Sequence, residues 1–202
     1  VRRLMRQMGI EAIYPRKRTT IPGGPSGIYP YRLKGLHISH PNQVWSADIT
    51  FIPMHRGYMY LFAIMDWYSR KIIDWELSNT LDLTFCLECL KRALRHSGIP
   101  EIMNTDQGSQ FTSEQWLSIL KDNDIIISMD GKGRWLDNVT IERFWRSIKY
   151  EEVYLWAYES VTEARRRIGD YLKFYNTQRR HQGIGKTPDQ AYFGEIGLPE
   201  AA

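Results

Sequence analysis

A strongly apolar stretch, Tyr58-Met59-Tyr60-Leu61-Phe62-Ala63-Ile64-Met65-Asp66, follows the turn at Gly57 and reads as a β-strand. Residues 71–77 (KIIDWEL) read as another strand. The short connection Trp67-Tyr68-Ser69-Arg70 predicts an antiparallel hairpin between the two. Residues 44–52 precede them as a first strand. Beyond the hairpin the pattern alternates. An amphipathic helix over 83–96 is ended by Gly98, and a short strand over 101–105 follows Pro100. A helix over 113–121 has Thr112 or Ser113 as its cap, and a strand covers 125–129. A long helix starts at Asp137 or Asn138 and reaches about 150, and Ser160-Val161-Thr162-Glu163 resembles a capping box opening a last helix to about 175. Three strands, then helix, strand, helix, strand and two helices imply an α/β fold: a mixed five-stranded sheet flanked by helices.

Upstream, residues 1–13 read as a helix with Leu4, Met8 and Ile13 on one face, followed by the basic cluster Arg16-Lys17-Arg18. Pro22-Gly23-Gly24-Pro25-Ser26-Gly27 is a breaker, and 28–42 reads as loop. The expected organisation is a basic N-terminal arm and linker over 1–41, a catalytic core over 42–193 and a tail over 194–202. The first residue is not Met, and the chain starts as if inside a helix. This predicts the C-terminal part of a longer protein, or an unusual start. No apolar run approaches the roughly 18 residues of a membrane span, and no signal peptide is evident, so a cytoplasmic, nucleoid-associated setting and no membrane partner are expected.

The 202 residues carry 27 Lys plus Arg against 23 Asp plus Glu, a net charge of +4 that permits nucleic-acid binding without demanding it. Cys86 and Cys89 form a C-x-x-C with no second pair to complete a zinc site. They sit in an apolar helix, where packing is the expected role.

Three acids stand apart by context. Asp48 lies inside a strand (Trp45-Ser46-Ala47-Asp48-Ile49-Thr50), where an unpaired acid is costly. Asp106 ends a strand beside a Gly-containing turn (Asp106-Gln107-Gly108-Ser109-Gln110-Phe111), a position where α/β sheets place ligands. Glu142 lies in the first turns of a helix. Clustered carboxylates repel and need cations. Oxygen-only ligands suit Mg²⁺ or Mn²⁺, and two such ions can promote attack on a phosphodiester and stabilise its leaving oxygen. Most of the other acids, Asp122, Asp124 and Glu114 among them, read as solvated charges, and Asp66 reads as a turn acid beside Ser69 and Arg70.

The three motifs Trp45-x-x-Asp48-x-Thr50, Asp106-Gln107-Gly108-Ser109-Gln110-Phe111 and Asp137-Asn138-x-x-x-Glu142-x-Phe144-Trp145, with 35 residues between Asp106 and Glu142, resemble the core of insertion-sequence transposases of the orfB type. Those belong to the retroviral-integrase superfamily with an RNase H-like fold. Lys132-Gly133-Arg134 and Tyr175-Asn176-x-x-Arg179-x-His181 match as well, so the resemblance covers about residues 42–193. Relatives carry His-Ser where Asn104-Thr105 precede Asp106. The resemblance implies catalysis by Asp48, Asp106 and Glu142 holding two Mg²⁺ or Mn²⁺ ions, and DNA cleavage followed by strand transfer. It implies DNA partners (transposon ends and target), a homo-oligomer on DNA, and possible pairing with a DNA-binding protein from an upstream frame. The rivals are an RNase H-like nuclease that cuts without joining and a DNA-binding remnant that no longer cuts.

Candidate DNA contacts follow from charge. Arg146 and Lys149 lie four and seven positions after Glu142, on roughly its helix face. They read either as phosphate grips or as a solvated face. Lys132, Arg134, Arg179, Arg16, Lys17 and Arg18 are further candidates, as are the runs Arg165-Arg166-Arg167 and Arg179-Arg180-His181. Of these, His181 reads as a structural or phosphate contact. Trp135 either stacks on a base or packs over the site edge.

Overall fold

The computed structural model describes residues 7–8, 27–130 and 139–194. The strands are β1 (Val44–Pro53), β2 (Tyr58–Asp66), β3 (Ile72–Ser78), β4 (Ile102–Thr105) and β5 (Ile126–Met129). The helices are α1 (Thr84–Ser97) after β3, α2 (Glu114–Asp122) after β4, then α3 (Val139–Glu151), α4 (Val161–Thr177) and α5 (Pro188–Phe193), with a 3-10 turn at Val153–Leu155. The strands form one sheet in the order β3-β2-β1-β4-β5. β1–β2 and β2–β3 pair antiparallel, whereas β1–β4 and β4–β5 pair parallel. The expected mixed five-stranded sheet with flanking helices is the architecture observed.

The apolar run of β2 is explained by its central position, because a strand covered on both faces alternates between two cores rather than between core and water. Leu61, Ala63 and Met65 join α3 and α4 residues in one cluster, which includes Ile141, Phe144, Ile148 and Ile168. Phe62 and Ile64 join α1 and α2 residues in the other, which includes Phe85, Leu90, Trp116 and Leu120. Each such fully buried side chain contributes roughly 1.5–3 kcal/mol. Cys86 and Cys89 are free thiols packed in the second cluster, and burial pushes the Cys86 thiol up to about 12. They serve the core, as their setting predicts.

The helix starts follow local chemistry. Ser113 caps α2, its side chain accepting from the Trp116 amide. Ser160 caps α4, but the reciprocal arm of the box moves one residue back: Glu163 Oε2 accepts from the Glu159 amide at 2.9 Å. The expected α3 caps, Asp137 and Asn138, lie outside the described residues, as does most of the proposed helix over 1–13. Helix α5 was legible in Thr187-Pro188-Asp189-Gln190, a capping box with Pro at the helix start, but it is absent from the order of elements read from the sequence.

Residues 28–42 lack regular structure, as expected, but they are not a free linker. The Arg32 amide donates to Ser128 Oγ at 3.0 Å along the edge strand β5. Leu33 packs with Val44 and Ile102. The segment thereby packs onto the sheet at Ser128 of β5 and over the Val44–Ile102 pair of β1 and β4.

Candidate active site

The pairing of β1 with β4 brings the first two acids together. The last parallel pair is Ser46 with Asn104, and Asp48 and Asp106 each lie two residues further along the chain. Parallel neighbours run side by side about 4.8 Å apart. Asp106 therefore emerges just past the end of β4 beside the middle of β1, and the two acids line a cleft of about 130 Å³ with Tyr60, Leu81 and Gln110.

Alternation aims Asp48 at the third acid. Ile52, on the same face of β1, packs in the α3–α4 cluster, so Asp48 also points toward α3. There the indole N–H of Trp145 donates to Asp48 Oδ2 at 2.9 Å, while the Ile49 amide donates to Oδ1 at 2.7 Å. Burial pushes the Asp48 carboxyl up to about 6. The two hydrogen bonds oppose the rise, and the neighbouring carboxylates of Asp106 and Glu142 add to it. Glu142 is exposed in the first turn of α3, where the helix dipole favours negative charge.

Asp106 is exposed, and its Oδ1 accepts from the Gly108 amide at 2.9 Å. A Cβ on Gly108 would stand 2.8 Å from that oxygen, so the turn needs glycine to hold the carboxylate as it is. Before Asp106, Asn104 is fully buried. Its Oδ1 accepts from Ser128 Oγ at 2.8 Å and its Nδ2 donates to Asp130 at 2.9 Å, tying β4 to β5.

Among the described residues, no group of three His, Cys, Asp or Glu is gathered tightly enough to hold a metal ion. The three carboxylates share one neighbourhood but stop short of ligand spacing. Like charges repel, and a bound cation relieves that repulsion. The approach to α3, residues 131–138, also lies outside the described residues.

The candidate cations separate. Burial lowers the Lys149 ammonium, and the Asp48 carboxylate opposes that shift, so Lys149 lies within electrostatic reach of Asp48. Arg146 is exposed, its guanidinium 6.0 Å from the Tyr150 ring. Arg179 is held in a two-pronged pair with Glu151, at 2.9 and 2.6 Å. Arg165 pairs with Glu76, Arg166 with Asp170, and Arg167 with Glu152. Arg167 also lies 3.5 Å from the centre of the Trp156 ring. Lys132, Arg134, Trp135, Arg16, Lys17 and Arg18 lie outside the described residues. Sequence reasoning missed Trp145 as the partner of Asp48; the available signal was an indole three residues after Glu142 whose N–H, once buried, requires an acceptor.

The Integrase core domain family matches residues 38–134, and a second family of the same description matches residues 123–188. The chain is 36% identical over 147 residues to the "Transposase for insertion sequence element IS904" of Lactococcus lactis subsp. lactis, an overlap of 71% of this chain and 58% of that protein. It is 32% identical over 155 residues to the "Insertion element IS600 uncharacterized 31 kDa protein" of Shigella sonnei, covering 75% of this chain and 57% of that protein. It is 30% identical over 201 residues to the "Transposase InsF for insertion sequence IS3A" of Escherichia coli, covering 92% of this chain and 67% of that protein. The chain thus spans less than two thirds of the first two relatives. The fold is similar to the HTLV-2 integrase catalytic core domain solved in complex with magnesium, with a TM-score of 0.62 at 19% identity over 76% of this chain and 97% of that one. It is also similar to a chain of the simian T-cell lymphotropic virus intasome, with a TM-score of 0.67 at 19% identity over 92% of this chain and 66% of that one. Both are retroviral integrases, so the sheet described above is the RNase H-like core that the motifs imply. The chain belongs to the integrase-core family of insertion-sequence transposases.

Proposed function

We propose that this chain carries the catalytic core of a transposase that cuts DNA phosphodiesters and joins the freed 3′ end to a target strand. The observation that supports this reading is that Asp48 and Asp106, each two residues past the last β1–β4 pair, line one cleft, with Asp48 on the sheet face that α3 covers.

The residues present fit a pair of divalent ions, Mg²⁺ or Mn²⁺. The donors are all carboxylate oxygens, and Asp48 is a desolvated acid with two like charges nearby and a nearby cation, Lys149, that does not bond to it. Asp48, Asp106 and Glu142 would hold the ions. When bound, the ions would supply charge neutralisation at the phosphodiester and acidify the attacking hydroxyl.

The chain's own groups do the positioning. Trp145 holds one oxygen of Asp48 and the Ile49 amide the other. The Gly108 amide fixes Asp106. Lys149 and Arg146 follow Glu142 on α3 and would grip the phosphate backbone beside the acids. Holding both reacting groups in place is the larger part of phosphoryl-transfer catalysis.

DNA, both element ends and target, is the proposed substrate. Paired ends require at least two active sites in fixed geometry, so a homo-oligomer on DNA is proposed, with closed two-fold symmetry as the commonest solution. A DNA-binding protein from an upstream frame would supply end recognition.

The test is an assay on labelled duplexes carrying the element's own ends, with Mg²⁺ or Mn²⁺. Joined product is expected from the wild-type chain and none from Asp48→Asn, Asp106→Asn or Glu142→Gln. Cut but unjoined DNA would make the chain a nuclease instead. Bound DNA without turnover, in every metal, would make it a DNA-binding remnant.

A further inference from the structure

Helix α3 presents two polar stripes. Glu142, Arg146 and Lys149 form the one beside the acids. Thr140, Arg143 and Ser147, spaced three and four apart, form the other. This second stripe walls a cleft of about 430 Å³, closed by Arg70 from the β2–β3 turn and by residues 179–184 after α4.

The lining of this cleft is one-sided in charge. Arg70, Arg143, Arg179 and Arg180 all contribute to it, with His181, and among the described residues no carboxylate does. Glu151 is taken up by Arg179 and by the Tyr171 hydroxyl. The carboxylate of Asp66 is likewise taken up, by Ser69 and the Asn42 amide. Arg70 is half-buried, and its Nη1 donates to Thr140 Oγ1 at 2.6 Å. Among the described residues it has no carboxylate within salt-bridge distance. His181 packs edge-on against Tyr175 at 4.6 Å, and its Nε2 is buried without a hydrogen-bond partner. Arg179 has Glu151 as its counter-charge, whereas Arg143 and Arg180 are exposed and make no salt bridge among the described residues, so the cleft keeps positive charge for an anion. Guanidinium forks with hydroxyl donors are the groups that recognise phosphate.

We propose that this cleft is an anion subsite that seats one phosphate of the DNA backbone, one helix face away from the catalytic acids. Arg143 and Arg180 would reach the phosphate from the open side, and Arg70, held by Thr140, would reach it from the closed side. The DNA assignment rests on the function proposed above; the anion chemistry does not. A strand crossing the start of α3 would contact the subsite and the acids together, so that the subsite positions the scissile bond.

The test follows the imidazole NMR signal of His181 in the full chain while a DNA duplex or inorganic phosphate is added. It also measures DNA affinity against salt for wild type, for Arg143→Gln/Arg180→Gln and for Glu142→Gln. Duplex DNA is expected to move the His181 signal in wild type and in Glu142→Gln, and inorganic phosphate to move it more weakly. The double variant should lose that shift, and its slope of log affinity against log salt should fall by about one per lost phosphate contact. A duplex that binds without moving His181, or an unchanged salt slope, overturns the proposal. A response to inorganic phosphate but not to duplex overturns the DNA assignment and makes the cleft a site for free phosphate. If wild type binds DNA through the cleft yet never cuts it, the proposed function fails while the subsite stands.

Discussion

The indole N–H of Trp145 donates to Asp48 Oδ2 at 2.9 Å, joining residues 97 positions apart. Because the bond favours the charged carboxylate, it restrains a pKa that burial pushes upward. Trp145→Phe removes the donor and keeps most of the packing against Phe144. The Asp48 pKa then rises, so the acid limb of the DNA-cleavage pH profile moves to higher pH. Divalent-ion affinity falls on the order of 10–100-fold, as for other residues that orient a metal ligand. Cleavage profiles and calorimetric Mg²⁺ titrations check this, and superimposable curves would refute it.

Asp48→Asn tests the same carboxyl through stability. The folded pKa, about 6, exceeds the usual 3.8. Between those values the folded state binds more protons than the unfolded state, so stability falls as pH rises from about 4 to about 6. In EDTA, Asp48→Asn is expected to be more stable than wild type near neutral pH, with the difference vanishing toward about pH 4. Urea unfolding at both ends of that window measures it. A difference that grows toward acid would reverse the sign.

Gly108→Ala separates activity from folding. The new Cβ, 2.8 Å from Asp106 Oδ1, displaces a flexible carboxylate rather than backbone. Stability changes by less than about 1 kcal/mol, while cleavage drops about 10²-fold, the scale of an ångström of misplacement. Equal losses in activity and in folded fraction would show that the turn, not the carboxylate, was damaged.

Asp66→Ala probes the turn that carries Arg70. Asp66 is fully buried and accepts from the Ser69 amide at 2.8 Å, the Ser69 hydroxyl at 2.6 Å and the Asn42 amide at 2.8 Å. Leaving these donors unpaired costs about 2–4 kcal/mol in chemical unfolding. A loss below about 1 kcal/mol would mean that water replaces the carboxylate freely.

The linear order of residues determined the five strands and four of the five described helices, and it singled out the three acids as candidates. Apolar runs, Gly and Pro punctuation, cap residues and motif spacing are local signals, and each is present near the element it specifies. Arg179 shows where such signals stop. By charge it reads as a DNA contact, yet Glu151, 28 positions earlier, engages its guanidinium once α3 and α4 pack together. The sequence did not show that Asp48 faces α3, that Trp145 is its donor, or that Arg70 meets Thr140 across 70 positions. Those pairings depend on the parallel β1–β4 register and on which face of α3 meets the sheet. Register and packing are decided by contacts between distant segments, so only the tertiary structure settled them.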